Sequence, residues 1–339
     1  MKIDVIVGNP PYQAEAQGEN KNFNSPIYNY FIDMAYEISD ITILIHPGRF
    51  LFNAGKTPKS WNKKMLNDDT VKVTFYEQES SKIFQNTDIK GGVAVTYRNR
   101  NVKANPIKTF THFEELKKLM DLVLSYENFN SINTIMYGRN LFKFSEQGME
   151  YYKNKGNKGK IRNFETNVFD RFPLMFSDKQ DKDSIGIYGR QNNERVVKWI
   201  KREFVEENDV IDTFNVFIPK ANGTGAIGEV LSTPLIGEPL IGYTQTFIAF
   251  GSFNNKEEAD NLLKYIKTKF ARALLGIMKV TQDNANSEVW KFVPLQNFTN
   301  NSDIDWSKSI PEIDQQLYKK YNLSDEEINF IEEKVKAME

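Results

Sequence analysis

The sequence predicts an α/β protein in two parts: about half of a doubly wound sheet over residues 1–109, then a mixed α/β region over residues 110–339. Three observations predict it. Apolar runs of strand length alternate with a helical stripe, the pattern changes after Arg98-Asn99-Arg100-Asn101, and 339 residues suffice for two domains of roughly 150 residues each.

The elements follow in order. Ile3, Val5, Ile6 and Val7 form a nearly continuous apolar run that Gly8-Asn9-Pro10-Pro11 ends abruptly, which reads as a buried parallel strand. Behind Ser25-Pro26, the residues Ile27, Tyr30, Phe31, Met34, Ala35 and Ile38 recur at helical spacing, with a proline suited to the first turn. Ile41 to Ile45 is a second buried strand, and Val71, Val73 and Phe75 alternate in a third. Gly91 to Tyr97 makes a fourth, antiparallel to its neighbour after the turn Asp88-Ile89-Lys90-Gly91-Gly92. Beyond the boundary, helical spacing marks residues 113–126, 259–277 and 317–338, and Ser324 followed by Asp325-Glu326-Glu327 supplies an N-cap and an acidic first turn.

Composition sets bounds on function. At 40% hydrophobic and 13% aromatic the chain can fill sizeable cores, and a net charge of −1 carries no global mark of a nucleic-acid or membrane binder. The charge is local instead: residues 139–202 hold 15 Lys or Arg against 8 Asp or Glu, while residues 301–339 hold 5 against 10. No cysteine is present, so disulfides, thiolate metal sites and cysteine nucleophiles are excluded, and two histidines predict no metal centre. No apolar run is long enough to span a bilayer and the N-terminus lacks signal-peptide features, which makes a cytoplasmic protein the default expectation.

The sharpest chemical feature is Asn9-Pro10-Pro11-Tyr12, at the carboxyl end of the first strand, where open α/β sheets place their ligands. The exocyclic amino nitrogen of adenine is a poor nucleophile because its lone pair is delocalised into the ring. Two acceptors, the Asn9 side-chain oxygen and the Pro10 carbonyl, would each take one amino hydrogen and aim the lone pair at an electrophilic methyl group. Pro10 and Pro11 fix the turn, so the acceptors converge without reorganisation, and Tyr12 would stack on the base. Stacking is worth on the order of 1–3 kcal/mol against unstacking the base from a duplex.

Here the chain resembles the amino-methylating DNA methyltransferases, in particular the adenine-N6 enzymes of type II restriction-modification systems in which methylase and target-recognition regions share a chain. The resemblance rests on Asp4 to Gln13, Ile45-His46-Pro47-Gly48-Arg49-Phe50-Leu51, Ile83 to Val93, Lys264 to Phe270, and Trp290-Lys291-Phe292-Val293-Pro294-Leu295. It implies a partial Rossmann-like methyltransferase sheet followed by a target-recognition domain, S-adenosylmethionine as methyl donor, and double-stranded DNA as partner. It also implies that Phe84 takes the second face of the flipped base. The family holds its cofactor in a glycine-rich turn that here would precede the Asn-Pro-Pro-Tyr motif. The chain is therefore expected to lack the cofactor-binding half and not to be active alone, with a separate N-terminal methyltransferase half or a restriction subunit as a further partner. A second reading is a non-catalytic DNA-binding specificity module requiring a separate cofactor-binding chain, and a third is an unrelated α/β protein in which the motif merely ends a strand.

Other signals are weaker. Gly223-Thr224-Gly225-Ala226-Ile227-Gly228 spells a dinucleotide fingerprint behind a strand at 214–218, but Pro234 and Pro239 prevent the helix that would hold a pyrophosphate. A recognition loop, with Lys220 and Asn222 as DNA contacts, is the better expectation. In the basic stretch, Lys158, Lys160 and Arg162 with interleaved Tyr151, Tyr152, Phe164, Phe169 and Phe172 suit phosphate contacts. His46, at the end of the second strand, reads as structural or as a base.

Overall fold

The computed structural model describes residues 3–14, 25–155 and 162–338, and these fall into two compact units. The first comprises residues 1–117, 224–226 and 276–281, and the second comprises the remainder. No helix among the described residues is long and apolar enough to cross a membrane.

In the first unit β1 (Ile3–Gly8), α1 (Tyr28–Ile38) and β2 (Ser39–Pro47) form a βαβ unit, with Val5 opposite Ile41 and Val7 opposite Ile43 in the parallel pair. A 3-10 turn (Gly48–Phe52) leads to α2 (Lys59–Asn67), β3 (Val71–Glu77) and β4 (Val93–Asn99). The sheet order is β1-β2-β4-β3, and β4 is antiparallel to both β2 and β3. α1 starts at Tyr28 without a side-chain cap, because its N-cap residue Ile27 has no polar side chain, and Pro26 lies outside the helix in a bridge to Gln13. α3 (Glu114–Leu124) follows the sheet.

Register decides which face of this sheet is core. Leu44, His46, Ala94 and Thr96 share one face and are buried beneath Ile32, Phe50, Trp61 and Met65. Each such apolar side chain contributes about 1.5–3 kcal/mol by leaving water. The opposite face is just as apolar, with Val5, Val7, Ile41, Ile43, Val95, Tyr97 and Phe75, yet it is uncovered: Val5 is 47%, Val7 71% and Phe75 44% exposed. β1, the most exposed of these strands, is also an edge.

The second unit runs through β5 (Met136–Tyr137), α4 (Glu146–Asn154), α5 (Val168–Arg171), β6 (Ser184–Gln191), β7 (Glu194–Lys201) and β8 (Phe214–Pro219). Further along the chain come β9 (Leu235–Gly237), β10 (Ile241–Tyr243), β11 (Phe247–Phe253), α6 (Lys256–Lys267), α7 (Lys269–Met278, assigned to the first unit from residue 276), α8 (Ile310–Lys320) and α9 (Asp325–Lys334). Two sheets result, ordered β10-β6-β7 and β5-β11-β8-β9. β6 and β7 turn on Asn192-Asn193, both left-handed at φ 50° and 65°, as a two-residue hairpin of this twist requires.

Three expectations change here. The stripe expected as one helix over 259–277 is two helices, because the Thr268 hydroxyl donates to the Tyr265 carbonyl and accepts from Ala271 N–H. Asp314, whose carboxyl burial pushes up to about 6, takes the Lys269 and Phe270 N–H groups at the start of the second. The stripe over 317–338 likewise divides at Asn322, φ 54°, before the Ser324–Glu327 capping box. Tyr152, Phe164, Phe169 and Phe172, read as aromatics interleaved on a basic surface, are core. They pack with Phe144, Ile187, Phe217 and Phe247 in a cluster fed by both sheets.

Candidate active site

β1 delivers Asn9-Pro10-Pro11-Tyr12 to its carboxyl end, and the chain is then tied back to the start of α1. Tyr12 O accepts from Ile27 N at 3.1 Å, and Ser25 O accepts from Ala14 N at 3.0 Å. Tyr12 lines a cavity of about 400 Å3 together with Gln13, Tyr28, Pro47, Arg49, Lys56, Asp88 and Ile89. Three loops converge there: the one after β1, the one after β2, and the one before β4. The Tyr12 hydroxyl is buried and makes no hydrogen bond of good geometry. Burial pushes its pKa up, with the adjacent Asn9 side chain acting the other way. Burial also pushes Tyr28 up to about 12, opposed by a hydrogen bond with Thr57 and by the Arg49 charge.

Asn9 is exposed and Pro10 half-buried at the strand end, and neither belongs to the cavity wall. Phe84 is half-buried in the loop before β4, its N–H donating to Ser80 O at 2.8 Å, and the wall there is made by Asp88 and Ile89. Asp88 is paired with Lys90 at 2.7 Å. His46 is wholly buried behind the cavity, stacked on Tyr28 with ring centroids 6.0 Å apart. Its Nδ1 faces the Pro47 carbonyl at 3.2 Å, which can only accept, so Nδ1 carries the hydrogen and Nε2 accepts from the Thr96 hydroxyl at 2.9 Å. Burial lowers its pKa to about 4. With both nitrogens engaged and the ring neutral, His46 is a structural residue rather than a base.

The residues read as DNA contacts are dispersed over the second unit. Lys158 and Lys160 lie outside the described residues. Arg162 donates to Glu206 at 3.2 Å and to the Phe144 carbonyl, in a groove that also carries Glu203, Glu207, Asp181 and Asp183. Asn222 is buried: its amide donates to Val230 O at 2.8 Å and accepts from Asn284 at 2.6 Å, so it holds its loop and has no group left for a base edge. Lys220 differs. It donates to Thr166 at 3.1 Å, and burial together with the nearby Arg139 charge holds its pKa down. Gln245 and Asn140, joined at 2.6 Å, flank the same strand ends.

Sequence reasoning did not single out Tyr28, Arg49, Lys56, Asp88 or Ile89 as site residues. Arg49, Asp88 and Ile89 stand in stretches that carried the resemblance, but only the folded loops place them in one wall.

Comparison with known proteins bears on this geometry. The model of the Eco57I restriction-modification methylase family matches residues 1–84. An "uncharacterized adenine-specific methylase" of Mycoplasma pneumoniae is 25% identical over 130 residues, 38% of this chain and 31% of that protein. Among solved structures, the type IIG restriction endonuclease BpuSI aligns with a TM-score of 0.35 and 11% identity, over 92% of this chain and 48% of that one. The type IIL restriction-modification enzyme MmeI, solved in complex with DNA, aligns with a TM-score of 0.44 and 10% identity, over 98% and 56%. The chain thus spans about a third of the curated relative and about half of either solved chain. Over residues 1–84, the chain is thus similar to the Eco57I restriction-modification methylases.

Proposed function

We propose that this chain forms the target-base pocket and the DNA-recognition part of an adenine-N6 DNA methyltransferase of a restriction-modification system. The observation that carries the reading is the placement of Asn9-Pro10-Pro11-Tyr12 at the carboxyl end of β1, with the Tyr12 ring in the wall of a cavity of about 400 Å3, within the size range of small-ligand pockets. A flipped adenine stacks on Tyr12. Asn9 Oδ1 and the Pro10 carbonyl accept its two amino hydrogens, pulling the nitrogen toward tetrahedral geometry so that its lone pair leaves the ring. The first unit, on this reading, is the C-terminal half of a Rossmann-like catalytic domain. The second unit recognises duplex DNA through Lys220 and Arg139.

The family resemblance implies S-adenosylmethionine as methyl donor, and neither the glycine-rich stretch at 223–228 nor the Tyr12 cavity offers a cradle for it. At Gly225, in the glycine-rich stretch, the space beside the backbone is filled by Val280 and Thr281 within 2.6 Å, and no helix follows. In the Tyr12 cavity the one acid, Asp88, is paired with Lys90. The uncovered apolar face of the first sheet favours a second reading, a specificity module that methylates when another polypeptide supplies the donor site.

Expression of the full chain, alone and with its genomic neighbours, in a host free of adenine methylation tests both readings. Base-resolution mapping should find N6-methyladenine at one sequence, lost in Asn9→Ala with DNA binding retained. Methylation that persists in Asn9→Ala removes Asn9 from the mechanism. Methylation seen only with a second chain selects the second reading.

A further inference from the structure

Arg49 is built into the Tyr12 cavity in a way that its structural surroundings do not account for. Its aliphatic stem passes between two glycines from different loops. A Cβ on Gly55 would lie 3.2 Å from Arg49 Cδ, and one on Gly91 would lie 2.7 Å from Arg49 Cγ. Both glycines are left-handed, at φ 86° and 80°, a conformation that excludes most side chains and leaves this slot for the stem alone. Arg49 Nε donates to the Lys90 carbonyl, which orients the planar guanidinium.

Only Nε is spent. The terminal nitrogens of Arg49 make no hydrogen bond or ion pair among the described residues, although the group is half-buried. Arginines that serve this fold structurally behave otherwise. Arg100 Nη2 donates to the Tyr36 carbonyl at 2.6 Å, and Arg272 gives both terminal nitrogens to the carbonyls of Gly228, Glu229 and Lys336. A guanidinium fixed through Nε and the stem presents its outer edge as a fork, a geometry matched to the paired oxygens of a phosphate or carboxylate. It does so in a cavity whose other walls include the rings of Tyr12 and Tyr28.

We infer that Arg49 is the phosphate-anchoring residue of the target nucleotide, holding a backbone phosphate of the adenosine whose base stacks on Tyr12. The inference rests on the reading of Tyr12 as the base-stacking ring. An extruded nucleotide brings a ring and a phosphate together on one short tether, and the cavity offers an aromatic wall and a fixed cation together. Anchoring the phosphate sets where the base comes to rest, so Arg49 contributes position and affinity while Asn9 acts on the amino group.

The test is ligand-observed NMR titration of the full chain with 2′-deoxyadenosine, its 5′- and 3′-monophosphates, and S-adenosylhomocysteine as a carboxylate-bearing control. One monophosphate should bind about tenfold more tightly than the nucleoside, as a single charge-assisted pair requires. Arg49→Gln should erase that difference and leave nucleoside binding intact, which also shows that the pocket remains folded. Arg49→Lys, which keeps the charge without the fork, should restore part of it. Tyr12→Ala should weaken nucleoside and nucleotide alike. Equal binding of nucleoside and both monophosphates, no binding of any of them, or a loss in Arg49→Gln confined to S-adenosylhomocysteine would each overturn the inference. A phosphate preference that needs Arg49 but is indifferent to Tyr12→Ala would keep the anchor and overturn the stacking role instead.

Discussion

The Tyr12 hydroxyl is buried without a partner of good geometry, a cost of about 1–3 kcal/mol that a satisfied group would avoid. Tyr12→Phe should therefore leave thermal stability unchanged or raised and, on the proposed reading, should retain methylation in the expression host, because stacking needs a ring and not an oxygen. Tyr12→Ala should lower methylation by ten- to a hundredfold. Equal losses from Phe and Ala would contradict the stacking role. His46 yields a pH prediction. The unfolded chain takes up a proton near 6.5 that the folded ring refuses until about 4, so stability is full above pH 6.5 and falls as pH drops toward 4. The loss is on the order of 2 kcal/mol, and chemical denaturation at pH 7 and 4.5 measures it. His46→Phe should flatten that slope in the first unit, and an unchanged slope would assign it to another group. Asp314 in the second unit runs in the opposite sense: its raised carboxyl pKa favours folding below about 4, and that contribution is lost as pH rises through about 6.

At the scale of elements, β1 is half of a parallel pair whose inner face is core and whose outer face is open. Parallel strands are normally covered on both sides, and exposed apolar edges invite association. The chain should therefore bind the apolar-surface dye ANS through this face. Val5→Lys with Val7→Lys should lower the dye signal and change folding stability by less than about 0.5 kcal/mol, since neither side chain is buried. A signal insensitive to both substitutions would place the dye elsewhere. The helices show where sequence reading stops. Apolar spacing runs unbroken across Thr268, yet Thr268 and Asp314 together end one helix and begin the next, and Asp314 lies 45 and 44 residues from the N–H groups it caps. A stripe reports which face is buried, not where the backbone changes direction.

For the whole molecule, duplex binding is expected to arise in the second unit and to weaken with salt by a log-log slope of about −0.9 for each phosphate contacted. Arg139→Ala with Lys220→Ala should weaken binding of the full chain and flatten that slope, because like charges held side by side are relieved by an anion. Arg162→Ala should do less, since Glu206 already neutralises its charge. Equilibrium titrations at two salt concentrations compare the variants, and a larger loss from Arg162→Ala would reverse the assignment.

What the sequence by itself determined is local: the strands of the first unit, the end of the first of them at Asn9, and the N-cap at Ser324, all written in periodicity and local chemistry a few residues wide. Only the tertiary structure decided that four interleaved aromatics are core, that Asn222 is spent inside its loop, and that Arg49 enters the Tyr12 cavity. Those outcomes depend on chain segments far apart in sequence, and burial and charge pairing are properties of the packed neighbourhood, which composition and spacing do not encode.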